Sequence, residues 1–172
     1  MKPKSKKLKL KIELVPSISW GKNLRKSITK KNWDKIRKTT YANCRYKCGI
    51  CGAKSKLNCH EIWEYDDEKH NQKLKSFIAL CDVCHRVKHI GQAGILALEG
   101  KLDYEKTVEH FIKANNCNEK TFREHRESAF DKFHERSKHE WHIDLGEYKN
   151  LIQTKYQDKR EIGVGQDVCE QV

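Results

Sequence analysis

Hydrophobic residues recur at helical spacing after residue 28. Thr29 can cap a helix running to about Asn43, because a threonine hydroxyl accepts hydrogen bonds from the free amides of a first turn. The inward-facing residues of this helix would be Trp33, Ile36 and Tyr41. Its outward face carries the lysines Lys30, Lys31, Lys35 and Lys38.

Two more helices are predicted towards the C-terminus. Asp103 can cap the first, whose apolar stripe consists of Val108, Phe111 and Ile112. Residues 119–138 form the second, with apolar residues at Phe122, Ala129, Phe130 and Phe133. We expect both helices to pack over the centre of the molecule.

Alternation of apolar and polar residues indicates strands elsewhere. The stretch "LKLKIELV" permits a half-buried strand from Leu8 to Val15, which Pro16 would end. The segment from Cys48 predicts a short hairpin, a loop and a helix that ends near Gly91, since glycine is common just past helix ends. "HEWHIDL" also alternates, with apolar residues at Trp141, Ile143 and Leu145.

A chain of 172 residues is long enough for one compact domain with extensions. The mixture of hairpin and helices predicts an α+β fold. We expect a basic N-terminal arm over 1–28, a core with its preceding basic helix over 29–98, a C-terminal helical extension over 99–146, and a partly disordered tail over 147–172.

The positive charge is concentrated at the front of the chain. The net charge is +12, yet residues 1–48 hold sixteen Lys and Arg against only Glu13 and Asp34. This asymmetry predicts a polyanionic partner, with nucleic acid ahead of an anionic membrane surface. A solubilising tail is the alternative interpretation.

Neither a membrane span nor secretion is expected. No window of about 18 apolar residues occurs, and the lysine-rich start lacks the apolar run of a secretory signal. We therefore expect a cytoplasmic protein with no membrane partner. In that compartment the eight cysteines would be metal ligands or thiols, although their even number also permits disulfides.

Two cysteine pairs have the spacing of a zinc site. Cys48 and Cys51 are separated by two residues, as are Cys81 and Cys84. Two such pairs complete a tetrahedral four-thiolate site, which is structural because no position stays open for a substrate. Cys44 and Cys59 lack this spacing, and Cys117 and Cys169 are expected to be bystanders.

A second group consists of histidines. His85 and His89 are four residues apart, so on a helix both imidazoles can reach one ion. If His60 lies against that helix, it completes a three-histidine site with room for water and a phosphate. The alternative is a basic helix whose histidines only hydrogen-bond phosphates.

Together these residues resemble the HNH endonucleases. The matching motifs are "KCGIC", the His60–Glu61 pair before Ile62, and "LCDVCHRVKH", which cover roughly residues 44–92. The resemblance implies a small ββα-metal (His-Me finger) core stabilised by the four-cysteine zinc site, with flanking helices. It departs from the family at Glu61, where a histidine is usual, and at Ser76, where an asparagine is frequent.

The resemblance also implies roles for the site residues. His60 and His85 would be ligands, Glu61 the general base, and His89 a third ligand. In a second register His60 is the base, Cys59 the ligand, and Glu61 orients an imidazole. As a base, Glu61 would need burial against a residue such as Trp63 to raise its pKa from about 4.3.

The activity implied is metal-dependent hydrolysis of phosphodiester bonds in DNA, leaving 5′-phosphate ends. The catalytic cation would be Mg, Mn, Ni or Zn. Arg86, Lys88 and the basic residues of 22–38 would hold the DNA backbone without reading bases. Asp66 and Asp67 are expected to form a turn.

Two non-enzymatic alternatives remain open from sequence. The first is a zinc-stabilised nucleic-acid-binding module without catalysis. The second is a subunit of a larger nuclease, which would bind its protein partner through the C-terminal helices.

Overall fold

An antiparallel hairpin lies at the centre of the molecule. In the computed structural model, which describes residues 7–152, β1 (Leu57–Asp66) pairs with β2 (Asn71–Cys81). The Asp66 carboxylate closes the turn, where it accepts hydrogen bonds from two backbone amides at 3.2 and 3.0 Å. The hairpin predicted from the sequence is confirmed, but it is longer than the short hairpin expected, and the helix at Asp82 follows β2 without the predicted loop. Asp66 has its expected turn role.

A third strand extends the sheet on one side only. β3 (His142–Asp144), from the "HEWHIDL" segment, runs parallel to β2. The buried Trp141 precedes it and packs its ring against Tyr65, 5.4 Å between centroids. The order β1-β2-β3 leaves the outer edge of β1 without a neighbouring strand in the described part of the chain.

The central helix is shorter than the sequence predicts. α3 (Asp82–Lys88) begins where β2 ends and stops at His89, whose backbone (φ −103°, ψ 45°) is not helical. α4 (Ile90–Leu98) follows immediately. α3 thus ends close to the predicted position, but the prediction that Gly91 is the stop is wrong, because Gly91 lies in the first turn of α4, which buries Ile90 and Ala93.

A 3-10 turn, Ser17–Ser19, and two α-helices precede the hairpin. α1 (Leu24–Ser27) is a single turn, and α2 (Lys30–Asn43) begins at Thr29, whose hydroxyl accepts a hydrogen bond from a backbone amide at 3.0 Å. Ile36 is buried, and the four lysines predicted on the outward face are exposed. The predicted cap, length and basic face of α2 are all confirmed.

The C-terminal helices cover the centre, as expected. α5 (Tyr104–Asn115) is capped by Asp103 and packs on α3. α6 (Glu119–Arg136) packs on α5 through Phe122, whose ring lies 5.2 Å from that of the fully buried Phe111. Two of the three predicted stripe residues of α5 are buried and the third is partly buried.

The predicted strand from Leu8 to Val15 does not form. These residues have no regular secondary structure and join no sheet, although Leu10 and Ile12 are buried. Their backbone instead bonds to side chains of α5 and α6, with the Ile12 amide donating to His125 Nε2 at 3.0 Å. The alternation correctly predicted which side chains are buried, although the partner is not a strand.

The two faces of the hairpin support separate apolar clusters. Ile78 and Leu80 face α3, α4 and α5, while Leu74 and Phe77 face α1 and α2. Tyr148 joins the second cluster from the short 3-10 helix Gly146–Leu151. The α+β fold class is therefore confirmed.

Some expectations concern residues outside the described range. The tail predicted over 147–172 is described only as far as residue 152, and its first residues belong to the 3-10 helix Gly146–Leu151. The rest of that tail, with Cys169, lies outside the described range, as do residues 1–6. Within residues 7–152, no helix is long and apolar enough to cross a membrane.

Candidate metal centres

Four cysteine sulfurs meet where β2 passes into α3. Cys81 ends the strand, Cys84 lies in the first helical turn, and Cys48 and Cys51 come from the loop after α2. The four Sγ atoms lie within 4.8 Å of one another. Gly52 closes that loop with φ +73°, a conformation glycine adopts without strain. The predicted grouping is thus present and could hold a structural metal ion.

The distances within the group suit zinc. Cys51 Sγ and Cys81 Sγ are 3.7 Å apart, and a tetrahedron with zinc–sulfur bonds of about 2.3 Å has edges of about 3.8 Å. Hydrogen bonding to the Cys48 sulfur raises the pKa of both Cys81 and Cys84. Crowded thiols of this kind ionise together only around a cation.

Two features of the cysteines and their surroundings were not expected. His110 of α5 places Nε2 3.0 Å from Cys84 Sγ, a contact that nothing in the sequence spacing indicates.

Cys44 is disulfide-bonded, so the expectation that the cysteines are thiols or metal ligands is wrong for this residue. The four grouped cysteines form no disulfide.

Three imidazoles form a second group. His60 lies on β1, His85 in α3, and His89 at the end of that helix, and one ring nitrogen of each lies within 4.8 Å of the others. The ring centroids are 4.6 to 5.3 Å apart, and each pair is close to perpendicular. The structure therefore brings together the three histidines that the sequence predicts to share an ion.

The environment keeps these histidines uncharged. Burial lowers the pKa of His85 and of His89 to about 4, and it also lowers that of His60, which is only 6% exposed. Neutral imidazoles have a free lone pair at neutral pH, as metal ligands require. The donor set thus fits a divalent cation such as Zn, Mn or Ni.

An acidic residue absent from the predicted site lies beside the histidines. Glu13 Oε2 is 3.4 Å from His60 Nε2, and Glu13 Oε1 accepts a hydrogen bond from Lys88 Nζ. Burial raises the pKa of Glu13, but the His60 hydrogen bond and the Lys88 charge outweigh it and lower the pKa to about 2. Only its position in the alternating stretch "LKLKIELV" could have drawn attention to it.

Lys88 is placed differently from its predicted role. It was expected to hold the DNA backbone, but its side chain is buried and paired with Glu13. Its hydrocarbon chain and ammonium thus belong to the interior, since a buried lysine needs an acidic partner. Arg86, two residues earlier on α3, is exposed.

Glu61 and Cys59 lie on the other face of β1. Successive strand residues point to opposite faces, and Glu61 pairs in register with Phe77 of the second apolar cluster. Glu61 Oε1 accepts the Leu24 amide at 2.9 Å, and burial raises the pKa of the carboxyl. Cys59 Sγ lies 3.7 Å from the Thr40 hydroxyl. Neither residue belongs to the imidazole group.

A cleft along the open edge of β1 joins the two faces. Because no strand covers this edge in the described part of the chain, His60 and Glu61 line the same cleft despite their opposite orientations. Basic side chains border it, from Lys22, Arg25, Lys26, Lys30 and Arg37. Of the four predicted lysines of α2, Lys30 lies in the cleft wall, while Lys31, Lys35 and Lys38 are exposed on the helix.

These observations define an α+β protein with a three-stranded sheet, a four-cysteine group able to hold a metal ion, and a cluster of three histidines. Comparison of the chain with protein-family models, with curated proteins and with solved structures finds no match. Function has to be inferred from the geometry and the charge of the site itself.

Proposed function

We propose that this protein is a metal-dependent HNH endonuclease that hydrolyses phosphodiester bonds in DNA. The order of its central elements supports the proposal, since β1, β2 and α3 form a hairpin followed by one helix, with candidate ligands on the first strand and on the helix. That order is the one the sequence resemblance implies for a ββα-metal unit.

One observation carries the proposal. Three neutral imidazoles from β1 and α3 meet at a cleft that remains open to solvent and is bordered by basic residues. Three protein ligands leave a coordination position for a substrate, whereas the four cysteines beside them form a closed set. A purely structural second site would not need the open cleft.

Residues of the protein would orient the cation and the substrate and would supply positive charge. His60, His85 and His89 would hold the cation, which when bound stabilises negative charge on the scissile phosphate and on the leaving oxygen. Arg25 and Lys30 line the cleft, where they can contact phosphates on either side of the reacting one. The excess of positive charge in residues 1–48 would favour association with DNA.

Glu61 is our candidate for the general base. Its raised pKa is the change that a carboxyl needs to accept a proton efficiently near neutral pH. A phosphodiester lying along the open edge of β1 would be within reach of both faces of the strand. To act, the carboxylate would have to exchange its hydrogen bond with the Leu24 amide for one with a water.

The test is cleavage of supercoiled plasmid with Mg, Mn, Ni and Zn in turn. Wild type is compared with His85→Ala and with His142→Ala, which removes an exposed histidine outside the cluster. The zinc content of all three proteins is measured beside the cutting. We expect wild type and His142→Ala to cut the plasmid. His85→Ala should lose cutting while retaining the zinc ion of the four-cysteine group.

A binding module without catalysis is the second candidate function. The exposed lysine face of α2 favours it, because such a face binds phosphates whether or not chemistry follows. The substrates are supercoiled plasmid, linear duplex DNA and single-stranded DNA, each tested with all four metals. If all three proteins bind these substrates and none cuts them, the nuclease proposal fails and the binding module replaces it.

A further inference from the structure

Glu13 connects the N-terminal arm to the histidine cluster at three points. Its carboxylate lies 3.4 Å from His60 Nε2 and accepts a hydrogen bond from the Lys88 ammonium. Its backbone amide donates to the Lys88 carbonyl at 3.1 Å. The arm therefore contacts both the strand and the helix that carry the candidate ligands.

These contacts bear on two of the three imidazoles. His60 is contacted directly, and Lys88 immediately precedes His89, where α3 stops. Lys88 and His60 are almost completely buried, so neither side chain can reorient without disturbing the core. The Glu13 carboxylate itself lies outside the set of atoms within 4.8 Å of one another, which favours an orienting role over that of a fourth ligand.

We propose that Glu13 is the positioning residue of the three-histidine site. By accepting the Nε2 proton of His60, its carboxylate fixes the tautomer that leaves Nδ1 with a free lone pair for the ion. Its backbone fixes the end of α3 and with it His89. Carboxylates that hydrogen-bond a ligand histidine orient the ring and strengthen metal binding. This inference requires that the imidazoles hold an ion, as the proposed function does, but it does not require DNA cleavage.

The test compares two paired substitutions. Glu13→Gln alone would leave the Lys88 ammonium buried without its partner, so both are replaced in Glu13→Gln/Lys88→Met. The matched control is Glu64→Gln/Lys75→Met, which removes an exposed pair from the same hairpin, 3.2 Å apart. Each protein is first loaded with one equivalent of zinc and then titrated with Co²⁺. Heat release and visible absorption are measured during the titration.

We expect the Glu13 variant to bind Co²⁺ about 10- to 100-fold more weakly than wild type, with an altered spectrum. The control pair should change neither quantity. A folded Glu13 variant with wild-type affinity and spectrum would overturn the proposal, as would a wild-type protein that binds no second ion.

A second variant tests the proposal if the double variant does not fold. Glu13→Asp keeps a negative charge beside Lys88 but withdraws the carboxylate from His60, so the same weakening is expected; unchanged Co²⁺ binding by Glu13→Asp would also overturn the proposal. Normal Co²⁺ binding by wild type together with no cleavage of any DNA would count against the nuclease alone and leave the role of Glu13 in place.

Discussion

The Asn115 side chain makes both backbone hydrogen bonds of Leu10. Its Oδ1 accepts from the Leu10 amide and its Nδ2 donates to the Leu10 carbonyl, each at 2.9 Å. A neighbouring strand would satisfy the same two groups. One amide at the end of α5 thus replaces a strand, and it holds in place the arm that carries Glu13.

Asn115→Ala should destabilise the protein by about 2–6 kcal/mol. The substitution leaves a buried amide and a buried carbonyl of Leu10 without partners, at about 1–3 kcal/mol each. Urea unfolding of zinc-loaded protein measures the loss, and Asn150→Ala, at an exposed asparagine, is the control. A loss no larger than that of the control would mean that the arm does not depend on Asn115.

Cys84→Ser should abolish cooperative unfolding. A structural zinc ion contributes on the order of 10 kcal/mol to folding, comparable with the whole stability of about 5–15 kcal/mol of a small domain. Zinc content and the thermal transition followed by circular dichroism are the measurements. Cys59→Ser, on the opposite face of the hairpin, should keep both, and loss of zinc from that control would revive Cys59 as a ligand.

His110→Ala should weaken zinc binding without preventing it. Nε2 lies 3.0 Å from Cys84 Sγ, where an N–H donor reduces the negative charge of a bound thiolate. Partners of this kind typically change metal affinity by about 10- to 100-fold. Competition with a chromophoric chelator measures the shift, beside His139→Ala on the surface. Equal zinc affinity in the two variants would contradict the assignment.

Neutralising the lysine face of α2 should weaken DNA binding and its salt dependence. Replacing all four lysines by glutamine should reduce the slope of log K against log salt by up to about 3.6, at about 0.9 per lost phosphate contact. The four residues are Lys30, Lys31, Lys35 and Lys38.

The control removes the same amount of charge elsewhere. It replaces four exposed lysines outside the cleft, namely Lys101, Lys106, Lys120 and Lys138. Fluorescence anisotropy between 50 and 300 mM salt gives both slopes. Equal slopes in the two variants would show that net charge, rather than the face of α2, determines binding.

Local signals in the sequence account for most of what could be predicted. The Thr29 cap and the apolar spacing of α2 depend on neighbouring residues alone, so the helix appears with its expected length. The cysteine pairs and the His85–His89 spacing likewise encode contacts within single turns. Each cysteine pair and the His85–His89 pair is therefore predictable from a short stretch of sequence, whereas the meeting of the two cysteine pairs and the approach of His60 depend on the hairpin.

Contacts between distant segments account for what was missed. Glu13 reaches His60 and Lys88 from an arm whose backbone is bonded to Asn115 and His125, both more than a hundred residues away. Nothing near Lys88 in the sequence distinguishes it from a surface lysine, since its acidic partner comes from 75 residues away. The end of α3 at Lys88 and the start of α4 at Ile90 also depend on contacts between distant segments, because the core determines where the apolar side of α4 is buried.

Cys84 and His85 are consecutive residues, so the two candidate ions would be bound by neighbours on one short helix. α3 has seven residues, and a helix of that length is unstable by itself in water. The cysteine-bound ion would therefore have to be acquired before the imidazoles could assemble. In a newly synthesised chain the histidine group would form only after zinc uptake, so zinc supply would set how much protein with an assembled second site accumulates.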